Sequence, residues 1–462
     1  AVNVSSTIVA DILNMETLSI YGYNLKKTMR EKYNIYSPTF DVMIAYYLLH
    51  SDERFSVERV IGLLRGEELD EFKNKFGKCE ERNVTIEDMA YFAGKRAYHI
   101  FYMKDKLEKE LIKEGLHKVF YDIEMKLIPV LAEMEKNGIK IDVPYFHKYS
   151  EELGNKIKII ENKIYEEAGE IFNINSPKQL SEVLFEKMRI MPEKKTKTGF
   201  STDVEVLESL ADQGITIAEM ILEYRQFVKL KSTYVDALPK VVDKNCRIHT
   251  TFNQEGTATG RLSSTDPNLQ NIPVKTDEGI KIRKGFVSEK GYSLMACDYS
   301  QIELRVLGEI TGDPELVRAY NEGIDLHALT ASKIFGKELD AITREERITA
   351  KIVNFSIIYG KTPFGLAKEI KISVGDAKEY IDKYFEQYKG VAEFIKNTVA
   401  HAEEHGDVHT LFGRKRTIDG IGSSNKNIKH GAERMAVNTV IQGTAADILK
   451  IVMIKINEAI KD

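Results

Sequence analysis

Asp298 has the clearest chemical potential in the chain. It closes the apolar run of "LMACDYSQIELRVLG" (residues 294–308), and Glu303 follows five residues later in a helix-like pattern. A run of strand formers that stops on a carboxylate is expected to set that carboxylate at the tip of a buried strand, where it can hold a metal ion. Hard divalent cations take oxygen ligands, and catalytic sites commonly supply two carboxylates, so Asp298 needs a partner.

A second group lies in "REERITAKIVNFSIIYGK" (344–361), where Arg347, Lys351, Phe355 and Tyr359 are spaced four apart. Four helical residues turn through roughly 400°, so successive members drift only about 40° around one face. Two cations, two aromatic rings and then Gly360 suit a nucleoside triphosphate: charge for the phosphates, a ring for base or sugar. The same stripe also describes an amphipathic helix with core aromatics and solvated cations. In "ERMAVNTVIQGTAADILK" (433–450) Arg434, Asn438 and Gln442 repeat the spacing as a polar line on an apolar helix. Asn and Gln there can meet the acceptor-rich minor groove of a duplex, or simply face water. "TATGRLSSTDPNLQNIP" (257–273) gathers Arg261, Asn268, Gln270 and Asn271 between Gly260 and Pro273, a set that can follow a phosphate backbone.

The elements that must position these groups are helix-rich. "DIEMKLIPVLAEMEKNG" (122–138) puts Ile123, Leu127, Val130, Leu131 and Met134 on one face and stops at Gly138. "NINSPKQLSEVLFEKM" (173–188) starts a helix with Ser176 as N-cap and Pro177 at the first helical position. "MPEKKTKTGFST" (191–202) reads as a basic loop, and a long amphipathic helix is expected through 223–238. Strand candidates fill 246–290, and 292–300 is expected to be a strand and turn. The chain has 462 residues, 43% hydrophobic and 30% charged, enough for two to four domains.

Net charge is −5, which does not by itself advertise a nucleic-acid binder. Three basic clusters stand out: Lys187, Arg189, Lys194, Lys195 and Lys197; Lys281, Arg283 and Lys284; and Arg414, Lys415 and Arg416. Taken singly each reads as solvated surface charge. No run approaches about 18 apolar residues, so no membrane span is expected. No signal peptide is visible. Cys79, Cys246 and Cys297 form no CxxC pair, which fits a reducing cytoplasm.

"GRLSSTDPNLQNIP", "DYSQIELR", "RITAKIVNFSIIYG" and "RMAVNTVIQGTAADI" occur in the order and spacing of the family A DNA polymerases. The chain resembles that family from about residue 118 to its end. The resemblance implies an α+β right-hand polymerase fold. The thumb would lie at about 140–245, the palm at about 246–325 and 431–462, and the fingers at about 326–430. It implies templated addition of deoxynucleotides to a primer 3′-hydroxyl in replication and repair, by a cytoplasmic monomer. Asp298 matches the aspartate that binds both Mg2+ ions, with the Tyr299 carbonyl completing the site. Gln301 and Glu303 match nucleotide-site positions, and Glu303 the residue that excludes ribose, in contact with Tyr359. Arg347, Lys351 and His327 match triphosphate ligands, with Arg347 and Lys351 assisting catalysis; Phe355 stacks near the incoming sugar and base. Arg261, Asn438 and Gln442 resemble minor-groove readers of the primer terminus and Arg283 a residue near the nascent pair, and Asn268, Gln270, Asn271 and Arg434 are expected to bind DNA as well. Two metals about 4 Å apart would activate the hydroxyl and steady the pyrophosphate.

Two departures bear on activity. Residues 1–117 resemble the later part of a ribonuclease H-like 3′–5′ exonuclease domain, through "GYNLKKTM", "FDVMIAYYLL" and "YFAGKRAYHIF". Thr28 and Lys95 stand where proofreading members carry metal-binding aspartates, so an inactive remnant is expected. The family's His-Asp-Glu motif, which supplies the partner of Asp298, occurs nowhere in the sequence, so truncation at both ends is expected. The rival readings are a catalytically silent primer–template or nucleotide binder, and a nuclease.

Overall fold

The computed structural model describes residues 11–13, 15, 17–31, 35, 38–53, 56–79, 83–191, 195–196 and 199–460. The chain divides into two compact units. One comprises 1–136, 252–263 and 297–462; the other comprises 137–251 and 264–296.

In the second unit Asp142 caps the helix Val143–Ala168, which ends at Gly169 with φ 73°. That helix packs against Thr216–Leu230. Phe146, Leu153, Leu184, Leu207 and Ile221 are fully buried between the helices. Each such side chain contributes about 1.5–3 kcal/mol of burial. Ser176 accepts from the Gln179 amide and Pro177 opens the helix, as the sequence predicts. The helix expected through 223–238 begins earlier, at Thr216, and passes into a π-helical turn at Lys231–Val235. The basic loop falls mostly outside the described residues; Lys187, at its edge, pairs with Glu170.

In the first unit a parallel pair, Ile20–Gly22 with Pro38–Asp41, leads into the buried helix Val42–Leu49. The 28-residue helix Ile86–Lys113 covers it. A π-helical turn, Val119–Glu124, runs into Met125–Asn137. Ile123, Leu127, Val130 and Leu131 are buried as expected, whereas Met134 is 40% exposed: it lies at the edge of the stripe, beyond the packed core. From Ile302 the unit is almost all helix and ends on the 34-residue helix Lys426–Ala459. That last helix is long and apolar enough to cross a membrane, contrary to the expectation from apolar runs; most of its apolar window is buried inside the protein.

The stretch 292–300 corrects a second expectation. It forms no strand, and residues 291–300 are all exposed. Its strand-forming composition is not enough, because extended backbone needs a neighbouring strand to bond with, and no described strand pairs with it.

Candidate functional site

Asp298 therefore stands on an exposed turn rather than at a buried strand tip. Gln301 turns the chain with φ 53° and ψ 44°, a left-handed conformation costly for a residue with a Cβ. The turn is braced by Arg305, whose Nε donates to the Ser300 carbonyl at 2.9 Å while its guanidinium lies over the Tyr320 ring. Glu303 then enters the first turn of the helix Ile302–Thr311 and is 8% exposed.

The four-residue stripe is real and faces outward. A capping box between Thr343 and Glu346 starts the helix Arg344–Ile358. Ala350, Val353, Asn354 and Ile357 fill its core face. Lys351 is exposed, whereas Arg347, Phe355 and Tyr359 are half-buried. Phe355 and Tyr359 rest against the edge of the hydrophobic core and are only partly covered by it. Phe355 and Tyr359 stack with their rings 6.2 Å apart. Tyr359 donates its hydroxyl to Glu303 Oε2 at 2.9 Å, and Arg261 binds the other oxygen. Burial, aided by Glu303, raises the Tyr359 pKa. Arg347 Nε donates to Asp325 Oδ2 at 2.8 Å; burial would raise Asp325, but Arg347 and the Ala328 and His327 amides together lower it.

His327 lies on the helix Leu326–Phe335. It is 1% exposed, and its Nδ1 lies 2.9 Å from the Asn354 amide. Burial pushes it down to about 4, so the ring is neutral near pH 7. Asn354 was missed in the sequence; the available signal was a lone amide on an apolar helix face.

Gly360 (φ 62°) brings the two stripes together. A Cβ there would lie 2.4 Å from Arg434 Cγ. Arg434 is exposed and Asn438 and Gln442 are half-buried along the Lys426–Ala459 helix. Asn438 Oδ1 is buried without a partner among the described residues.

The basic cluster 414–416 is not solvated charge. Arg414 is 2% exposed and binds Glu124 and Asp447, which are fully buried. Lys450 also pairs with Glu124, and Gln254 donates to its second oxygen at 2.7 Å. Two positive and two negative charges thus cancel out of water. Burial alone would raise Glu124, but Lys450 and Arg414 hold it at about 2. The network supports the loop carrying Arg261: a Cβ on Gly260 would lie 2.7 Å from Arg414 Nε, and Tyr47 donates to the Thr257 carbonyl at 2.7 Å. Lys415 and Arg416 are also paired, with Glu114 and Asp52.

Asn268, Gln270, Asn271 and Arg283 belong to the second unit and are all exposed there. The Asn268 side chain accepts from the Gln270 amide at 3.0 Å, and the Asn271 carbonyl accepts from Tyr234 at 2.7 Å.

The donors at the turn fit one Mg2+ ion that keeps waters and shares a phosphate, since Mg2+ is held by as few as one carboxylate. Asp298 and the Tyr299 carbonyl would be those donors. They do not make up the ligand set of two ions. No group of three ligating side chains forms around Asp298 among the described residues.

The model of DNA polymerase family A matches residues 143–462. The chain belongs to DNA polymerase family A. It is 44% identical over 461 residues to DNA polymerase I of Caldicellulosiruptor bescii, covering 98% of this chain and 52% of that protein. It is 44% identical over 430 residues to DNA polymerase I of Bacillus subtilis, covering 92% of this chain and 48% of that protein. The chain thus spans about half the length of these relatives. The polymerase domain of Pol1 from M. smegmatis, solved in complex with DNA primer-template and dNTP, superposes with a TM-score of 0.90 at 34% identity. That match covers 99% of this chain and 78% of that one. The fold is the α+β right-hand polymerase fold of the family.

Proposed function

We propose that the chain is the polymerase portion of a DNA-templated DNA polymerase, which adds deoxynucleotides to a primer 3′-hydroxyl in bacterial replication and repair. One observation carries this reading: a single helix face presents Arg347, Lys351, Phe355 and Tyr359, and its last ring hydrogen-bonds Glu303. Lys351 and Arg347 hold the triphosphate and offset the charge that builds on the leaving pyrophosphate. Phe355 stacks on the incoming sugar and base. Glu303, fixed between Tyr359 and Arg261, occupies the space a 2′-hydroxyl would need. His327, being neutral, contributes a hydrogen bond rather than a charge.

Asp298 and the Tyr299 carbonyl would hold Mg2+, which would supply acidification of the primer 3′-hydroxyl. Arg434, Asn438 and Gln442 contact the primer–template from the carboxyl-terminal helix, and Asn268, Gln270, Asn271 and Arg283 from the second unit. Such contacts to phosphates and the minor groove serve any template sequence. Residues 1–117 are a nuclease-like domain without nuclease activity: Thr28 is an exposed hydroxyl, and Lys95 is an ammonium paired with Glu67. Residues 140–245 act as thumb, 246–325 and 431–462 as palm, and 326–430 as fingers. The protein acts as a cytoplasmic monomer.

A second reading has its own support. The exposed segment at Asp298 pairs with no described strand, which favours this chain by itself as a silent primer–template and nucleotide binder. Primer extension with Mg2+ and four deoxynucleotides, run on this chain and on the full-length protein, separates the two. Extension by the full-length protein supports the polymerase, and failure of both sinks it.

A further inference from the structure

A cluster remote in sequence from the motifs above has the chemistry of a metal site. The helix Lys389–His405 ends on Gly406, whose φ of 77° turns the chain straight into the strand Asp407–His409. Strand residues two apart share a face. Val408 is accordingly buried at 1% exposure, and Asp407 and His409 point the other way, toward His401, one turn before the helix end. One ligand atom from each of His401, Asp407 and His409 lies within 4.8 Å of the others.

The distances suit an ion better than direct hydrogen bonds. Asp407 Oδ1 is 3.6 Å from His401 Nε2 and 3.8 Å from His409 Nδ1. Both exceed the usual limit of about 3.2 Å for a hydrogen bond. Tetrahedral zinc with bonds of about 2.0–2.1 Å sets its ligand atoms about 3.3 Å apart, a few tenths closer than these. Asp407 is also pre-oriented. Its Oδ2 is held by Lys415 Nζ at 3.1 Å, which leaves Oδ1 between the two imidazoles. A ligating carboxylate held by an outer partner is the usual arrangement at metal centres. The His401 and His409 side chains are 45% and 40% exposed, so both can turn inward and an ion can enter. His405 lies outside the set: its ring stacks on His401, and its Nδ1 bonds the His401 carbonyl at 3.1 Å.

We propose that His401, Asp407 and His409 bind one divalent cation of the zinc class, with water completing its shell. Two imidazoles and a carboxylate select Zn2+, Co2+ or Ni2+ over Mg2+, which prefers oxygen donors throughout. The ion clamps the end of the helix to the hairpin Asp407–Thr417, the hairpin that carries Arg414.

Titration of the chain with Co2+ alone, read by its visible ligand-field absorption, tests this. The expected result is one equivalent bound with a tetrahedral-type band, displaced by Zn2+ and unaffected by excess Mg2+. His401→Ala and His409→Ala should each weaken binding at least 10-fold, with unchanged far-ultraviolet circular dichroism, and His405→Ala should bind as the parent does. If either variant unfolds, Asp407→Asn provides the same comparison. Absence of the band, binding that survives both histidine variants, or displacement by Mg2+ overturns the proposal.

Discussion

Tyr359 reaches across from the end of one helix to donate its hydroxyl to Glu303 at the start of another, 2.9 Å away. With Arg261 on the second oxygen, the carboxylate is fixed in place. In the full-length protein Glu303→Ala is expected to relax ribonucleotide exclusion by about 10-fold or more, because a steric and polar barrier is removed. Tyr359→Phe keeps the ring and loses only one hydrogen bond, about 1 kcal/mol, so its effect is a few-fold. Competition between ribo- and deoxynucleotides measures both, and unchanged selectivity in Glu303→Ala would refute the assigned role.

Arg347 is paired with Asp325, 2.7 Å away. Half-exposed pairs of this kind are worth about 0–1 kcal/mol. Asp325→Asn keeps a helix-capping oxygen but removes the competing charge. It is expected to lower the KM for deoxynucleotides by about two- to five-fold, read by steady-state kinetics. A raised KM would mean that Asp325 positions Arg347 rather than competing for it.

Lys351 is exposed, with no ion pair among the described residues. Lys351→Ala is expected to reduce kcat/KM by about 100-fold, the scale for losing one group that stabilises developing charge. Lys351→Arg should recover part of it. Values within three-fold of the parent for Lys351→Ala would remove it from the triphosphate site.

Gly360 combines φ 62° with a close approach by Arg434. Gly66 has a similar φ of 70° and nothing within 4 Å of its Cβ position. Gly66→Ala therefore reports the backbone cost alone, about 1 kcal/mol. Gly360→Ala should cost more and displace Arg434, seen as a lower thermal midpoint together with weaker primer–template binding. Equal effects of the two substitutions would argue against the close contact.

Glu124 offers a pH test. Its folded pKa of about 2 lies below its ordinary 4.5. The stability this contributes is complete above about pH 4.5 and is lost as pH falls toward 2, on the order of 3 kcal/mol. Glu124→Gln should flatten that acid dependence in urea unfolding. It should also cost about 3–5 kcal/mol at pH 7, by leaving Arg414 and Lys450 short of counter-charge. Parallel pH profiles for parent and variant would assign the acid loss elsewhere.

The local features were legible in the chain. Ser176–Pro177 announces a helix start, and the spacing of Arg347, Lys351, Phe355 and Tyr359 places them on one face, because helix geometry depends only on near neighbours. The motif order disclosed the family for the same reason: a motif is a short segment read in one piece. Partners distant in sequence were not legible. Arg414 looked like surface charge because Glu124 and Asp447, the carboxylates that neutralise it, come from two other helical elements. The burial of His327 follows from Asn354, on the helix packed against its own. The run before Asp298 has the composition of a strand, yet a strand exists only where a neighbour completes its hydrogen bonds. Residue types and their spacing settle the chemistry on offer; burial and pairing, which set charge state and access, belong to the tertiary fold.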